Sequence, residues 1–148
     1  MKNFAITLLA LCILVAAFPA TAQSTGDSGQ IVVPAASQSK QLVVWASGDR
    51  EVGLNMVLMY AGNARKFGWV DKVRILIWGP SAKLVAGDPA VQERVKQVQA
   101  AGVEVVACRA CAEVYGVAGK LGELGIQVFF AGQLLANARR EGWEVLSM

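Results

Sequence analysis

Histidine is absent from the 148 residues. Its absence removes the ordinary general base near neutral pH, every Ser-His or Cys-His nucleophile pair, and most zinc or iron sites. Charge is also sparse: Asp, Glu, Lys and Arg make up 17% of the chain, and the formal net charge of +3 includes Lys2 and is spread without a basic run. Such a surface does not imply nucleic acid. No G-x-G-x-x-G and no G-x-x-x-x-G-K-S/T occurs, so neither phosphate fingerprint supports a nucleotide. No two carboxylates are spaced for acid-base work. Glu104 alternates with the apolar residues of a predicted strand and Glu113 falls mid-helix, so both are expected to face solvent. Hydrolase chemistry therefore has no candidate machinery.

The chain opens Met1, Lys2, Asn3, then runs apolar from Phe4 to Phe18 and reaches the small-x-small site Ala20-Thr21-Ala22 before Gln23. That pattern predicts a secretory signal peptide over residues 1–22, cleaved after Ala22, and a periplasmic mature protein. The apolar run is shorter than the roughly 20 residues of a spanning helix, so no stable membrane insertion is expected after processing. Cys12 follows Leu11 inside the run, where a lipoprotein signal would place a small residue, and it is expected to leave with the peptide. Residues 23–40 are rich in Ser, Gly, Gln and Ala and read as a flexible leader. Residues 41–148 are dense in Val, Leu, Ile and Ala with no second linker, which predicts one domain.

Five apolar segments rich in β-formers recur within it: Leu42 to Ala46, Val73 to Trp78, Val103 to Ala107, Ile126 to Phe130 and Trp143 to Leu146. Longer segments with helical spacing lie between them. Val91, Val95 and Val98 form one stripe, opened by Asp88 as N-cap and Pro89 at the first helical position and closed by Gly102. Strand and helix in repeated alternation predict right-handed crossovers. The expected class is α/β, a three-layer α/β/α Rossmann-like sandwich around a mostly parallel five-stranded sheet.

Glu51 to Phe67 is apolar nearly all round. Val52, Met56, Met59, Tyr60 and Phe67 read as one stripe, and Leu54, Val57, Leu58 and Ala61 fill much of the rest. One sheet face does not bury all of that surface, so the helix is expected also to form a subunit interface in a homo-oligomer. A long helix covered within its own domain is the alternative.

Ligands of open parallel sheets gather at the carboxyl ends of the strands. Three loops qualify: Ser47-Gly48-Asp49-Arg50, Gly79-Pro80-Ser81 and Cys108-Arg109-Ala110-Cys111. Ser47, Asp49, Ser81 and Arg109 are the candidate substrate contacts. Against this, Asp49 and Arg50 also read as a capping carboxylate and a solvated charge at a helix start, and Trp45 and Trp78 as core residues whose indole N–H groups need partners.

Only Cys108 and Cys111 remain once the signal peptide is removed, spaced C-x-x-C at a strand end and the start of a helix from Arg109 to Tyr115. The helix N-terminus and Arg109 both favour a thiolate there. Three readings stay open. The pair forms a structural disulfide, as neighbouring cysteines do in oxidising compartments; it performs thiol chemistry, either disulfide exchange or persulfide carriage; or it supplies two of about four metal ligands, which only a site shared between subunits would complete. No metal or cofactor is expected.

Ile77-Trp78-Gly79-Pro80-Ser81-Ala82-Lys83-Leu84 and Gly102-Val103-Glu104-Val105-Val106-Ala107-Cys108 resemble the DsrE-like proteins. The resemblance continues through Gly116-Val117, Leu124-Gly125-Ile126-Gln127-Val128, Gly132 and Gly142-Trp143-Glu144-Val145-Leu146, and so spans most of residues 41–148. It implies a five-stranded α/β/α fold, frequent oligomers and, as in members that carry sulfur, a cysteine that accepts sulfane sulfur. By matching position that cysteine is Cys108. Cys111 lies outside the pattern shared with the carriers, and export separates this chain from relatives that work in the cytoplasm. The resulting expectation is a periplasmic carrier with a persulfide on Cys108, Cys111 as resolving thiol, and a protein or inorganic polysulfide as donor or acceptor. A dithiol/disulfide oxidoreductase is the runner-up, weakened by the lack of a W-C-x-x-C context. A non-catalytic oligomeric binding module is the third reading, with a Cys108–Cys111 staple and contacts from Asp49, Arg50 or Ser81.

Overall fold

The computed structural model describes residues 39–148. The expected signal peptide, and the expected leader up to residue 38, lie outside the described residues. The five predicted strands are present, each within two residues of its expected ends: β1 Lys40–Trp45, β2 Lys72–Ile77, β3 Glu104–Cys108, β4 Gln127–Phe129 and β5 Trp143–Ser147. Lys40, expected to close the leader, is instead the first residue of β1 and pairs with Lys72 and Trp143.

All four strand pairings are parallel, in the order β4-β3-β2-β1-β5. Each of the first three crossovers steps one strand in the same direction, and a constant right hand puts their helices on one face of the sheet. These are α1 Arg50–Val52, the π-helical segment Gly53–Leu58, α2 Met59–Lys66, α3 Ser81–Gly87, α4 Pro89–Ala100, α5 Arg109–Val114 and α6 Ala118–Glu123. Their core unites Val43, Trp45, Ile75, Ile77, Val105 and Ala107 of the sheet with Val57, Leu58, Val91, Val95 and Leu121. The last crossover returns from one edge to the other, and α7 Gly132–Asn137 lies on the opposite face. Leu42, Val44, Leu76, Val106, Cys108 and Trp143 form that second core with Ala131 and Ala138. The expected α/β/α sandwich is therefore present, with a thick layer on one face and a thin one on the other.

Asp88 caps α4, its Oδ1 accepting from the N–H groups of Ala90 at 2.8 Å and Val91 at 3.1 Å, with Pro89 next. Val91, Val95 and Val98 are buried as the spacing predicts, and Gly102 follows the helix at φ 87°.

The expected stripe on the long helix needs correction. Gly53, Val57, Leu58, Ala61 and Ala64 face the core, whereas Met56 is 50% exposed, Met59 45% and Phe67 59%. The cause is steric. Trp45 is fully buried beneath the helix, and a Cβ on Gly53 would lie 2.5 Å from its ring. Small residues let the helix lie close to the sheet, so the bulkier side chains turn outward.

Candidate functional site

Hydrophobic β3 ends at Cys108, whose extended backbone (φ −72°, ψ 118°) makes it the N-cap of α5. Three residues later Cys111 lies on the first turn, a spacing that returns a helical side chain to the same side. Both cysteines are free thiols. Cys108 is 4% exposed among Leu76, Val106 and Ala131, while Cys111 and Trp78 lie at the margin of the same cluster, partly exposed.

The Cys111 sulfur interacts with the Cys108 thiol and with the backbone N–H of Gly79 in the β2–α3 loop. Burial pushes the Cys111 thiol above its ordinary pKa and the neighbouring Cys108 thiol adds to this, while the Gly79 N–H opposes it. The thiolate that the helix N-terminus and Arg109 are expected to favour at this pair is therefore not found at Cys111. One reason is the direction of Arg109. Its Nε pairs with Glu113 Oε1 at 2.7 Å and its guanidinium lies 5.3 Å from the centre of the Phe130 ring, so its charge is engaged at the surface. Glu113, expected to be merely solvated, is its partner.

The other candidates are brought near one another with unequal freedom. Gly79 has φ 68°, a conformation natural to glycine, which turns the chain from β2 into α3 beside Cys111. On the far side of that turn Pro80 is packed against Gly48, where an added Cβ would lie 2.9 Å from the proline side chain. The three carboxyl-end loops thus meet. Ser47 Oγ accepts from the Asp49 N–H at 3.0 Å, and Asp49 Oδ1 from the Val52 N–H at 2.9 Å, so both act as local caps at the start of α1. Arg50 pairs with Asp88 at 2.8 Å.

Ser81 departs from its expected place among the substrate contacts. It is fully buried, donating to the Trp45 carbonyl at 2.6 Å and accepting from the Trp78 N–H at 3.0 Å, with no surface for a ligand. Trp45 is core as expected, yet its indole N–H has no hydrogen-bond partner among the described residues. Glu104, expected to face solvent, pairs with Arg74 at 2.7 Å.

Two residues around this loop, Gly79 beside Cys111 and Phe130 beside Arg109, are not singled out by the sequence pattern. The Gly79 N–H had one available signal, its position in a glycine loop at a strand end. Phe130, 65% exposed just beyond β4, had none, because its run of apolar residues reads as strand interior. A shallow cleft of about 370 Å³ lies between Gly48, Pro80, Lys83 and Leu84, and another of about 450 Å³ between α2 and α4; neither is lined by a cysteine. Among the described residues no cluster of three metal-ligating side chains occurs.

What the arrangement offers chemically is a dithiol with one covered and one accessible sulfur. A profile of the DsrE/DsrF-like family matches residues 46–148. BT1422, a conserved protein of unknown function from Bacteroides thetaiotaomicron, is 34% identical, with a TM-score of 0.71 over 74% of this chain and 95% of that one. MTH1491, of unknown function, from Methanobacterium thermoautotrophicum, has a TM-score of 0.57 at 19% identity over 74% of this chain and 99% of its own. The ychN protein of E. coli has a TM-score of 0.54 at 16% identity over 76% of this chain and 100% of its own. These last two likenesses are of fold. No curated protein matches the chain.

Proposed function

The chain belongs to the DsrE/DsrF-like family, and we propose that it carries sulfane sulfur as a persulfide on Cys108, with Cys111 as the resolving thiol. The family is associated with sulfur relay. The observation that supports the finer reading is the pairing of two free thiols at the carboxyl end of β3, in one cluster and covered to different degrees. A persulfide on a covered sulfur is shielded from solvent reductants, and the second thiol lies within reach to discharge it.

Discharge follows from thiol exchange. The Cys111 sulfur attacks Sγ of the Cys108 persulfide, a Cys108–Cys111 disulfide forms, and the outer sulfur leaves as hydrosulfide with the electron pair of the broken bond and the Cys111 proton. The two cysteines are together oxidised by two electrons and the sulfane sulfur is reduced. An external dithiol then resets the pair. The donor is inorganic polysulfide or a protein persulfide.

Export by the signal peptide at residues 1–22 places this chemistry in the periplasm, where a resting disulfide is the competing state. Because the two free thiols are neighbours, a plain dithiol/disulfide oxidoreductase is the second reading. The outward Met56 and Met59 support a homo-oligomer built on the long helix.

Cyanide, which removes sulfane sulfur as thiocyanate, tests the carrier. After anaerobic polysulfide treatment and desalting, the wild-type protein should yield thiocyanate and a Cys108→Ser/Cys111→Ser double variant none. Equal yields from both would refute persulfide carriage. If loaded Cys111→Ser protein released sulfide as fast as wild type, the resolving role would be wrong.

A further inference from the structure

Carriage on Cys108 meets an obstacle of access. Cys108 is 4% exposed, at the end of β3 among Leu76, Val106 and Ala131. A thiolate displaces along the axis of the S–S bond it breaks, so a donor needs open space directly in front of the attacking sulfur. Cys111 is the less covered of the two. It is partly exposed and lies near both the Cys108 thiol and the Gly79 N–H. The Gly79 N–H partly offsets the burial that raises the Cys111 pKa.

We propose that Cys111 is the loading thiol: inorganic polysulfide delivers one sulfane sulfur to Cys111, which passes it inward to Cys108. The proposal deepens the persulfide-carrier reading and rests on it. It also reverses the expectation from sequence that Cys108 meets the donor directly.

Atoms and electrons balance in both steps. Cys111, having lost its proton to solvent, attacks a terminal sulfur of the polysulfide. A Cys111 S–S bond forms, the adjacent bond of the polysulfide breaks, and the polysulfide leaves one sulfur shorter with that electron pair. The Cys108 sulfur then attacks the outer sulfur of the Cys111 persulfide. The new bond is to Cys108, the Cys111 S–S bond breaks, and Cys111 departs with its electrons and takes the Cys108 proton. The second step is a transfer without net oxidation. Attack on the inner sulfur instead produces the disulfide and hydrosulfide. One pair of thiols thus stores or discharges according to which sulfur is struck.

Arg109 lies between the two cysteines, so trypsin places them in different peptides. A short iodoacetamide pulse on the reduced, folded wild-type protein should label Cys111 at least about tenfold faster than Cys108. Anaerobic loading with sodium tetrasulfide, quenched by alkylation, should proceed on Cys111 of Cys108→Ser within about twofold of the wild-type rate. Loading on Cys108 of Cys111→Ser should be at least about tenfold slower. Cys111→Ser loading as fast as wild type, or Cys108 labelled first, overturns this proposal alone. No sulfur gained by the wild type overturns the carrier reading and this proposal with it. The labelling pulse uses the unaltered chain and does not depend on either variant folding.

Discussion

The Ser81 hydroxyl donates to the Trp45 carbonyl at 2.6 Å across 36 positions of sequence and accepts from the Trp78 N–H at 3.0 Å. One buried side chain thereby joins the carboxyl ends of β1 and β2 next to the turn that brings Gly79 to Cys111. The Trp78 N–H also reaches the Trp45 carbonyl directly at 2.9 Å, so removing the hydroxyl strips neither group of its last partner. Ser81→Ala should therefore cost about 1 kcal/mol, the net worth of an ordinary hydrogen bond, and not the larger cost of orphaned buried groups. Urea denaturation measures it, and an unchanged midpoint would show that the hydroxyl contributes nothing.

Asp88 predicts an acid limb. Its carboxyl is held below the usual range first by the Val91 N–H and then by the Arg50 guanidinium. A depressed folded-state value means that this contribution is present above the unfolded carboxylate pKa of about 3.9 and fades as pH falls through the lower folded value. Asp88→Asn should flatten the stability profile below about pH 4 while keeping most of the helix cap. A profile of unchanged slope in that window would contradict the assignment.

Cys111 predicts a base limb of reactivity. Burial, and after it the Cys108 thiol, raise its pKa, so the thiol is mostly protonated at neutral pH. Its rate of alkylation should keep climbing beyond pH 8.5, about where a free cysteine is half ionised. A rate that levels off near neutrality would mean a lowered value and would contradict the assignment.

The long helix predicts association. Met56 and Met59 turn away from the core at 50% and 45% exposure, a face consistent with a second copy. Light scattering of the purified protein should give a mass of at least two chains, and Met56→Glu with Met59→Glu should lower it toward one. A monomeric wild type would remove the oligomer.

The parts that could be read from sequence share a property: they depend on neighbours along the chain. Short apolar segments rich in β-formers mark all five strands, and Asp88, Pro89 and Gly102 bracket α4, because caps and local composition act within a few residues. Cys108 was placed at a strand end and a helix start for the same reason. The misplaced features depend on contacts distant in sequence. The stripe on Glu51 to Phe67 was assigned to its largest apolar residues, whereas the buried bulk of Trp45 selects Gly53, Ala61 and Ala64 for the inner face. Ser81 looked like a loop hydroxyl free for a ligand, and its partner Trp45 lies on another strand. Arg109 adjoins Cys108 in sequence, but Glu113 and Phe130 draw its guanidinium elsewhere. No reading of C-x-x-C spacing orders the two sulfurs by exposure, since the cover over Cys108 comes from β2, β3 and the start of α7.

Persulfide carriage itself is tested most directly by intact mass after anaerobic incubation with polysulfide and removal of the excess. The wild-type protein should gain one sulfur, about 32 Da, that a dithiol removes. Peptides divided at Arg109 should place the stored atom on Cys108, and the Cys108→Ser/Cys111→Ser double variant should gain nothing. A wild-type mass that does not change, or an equal gain in the double variant, would contradict it.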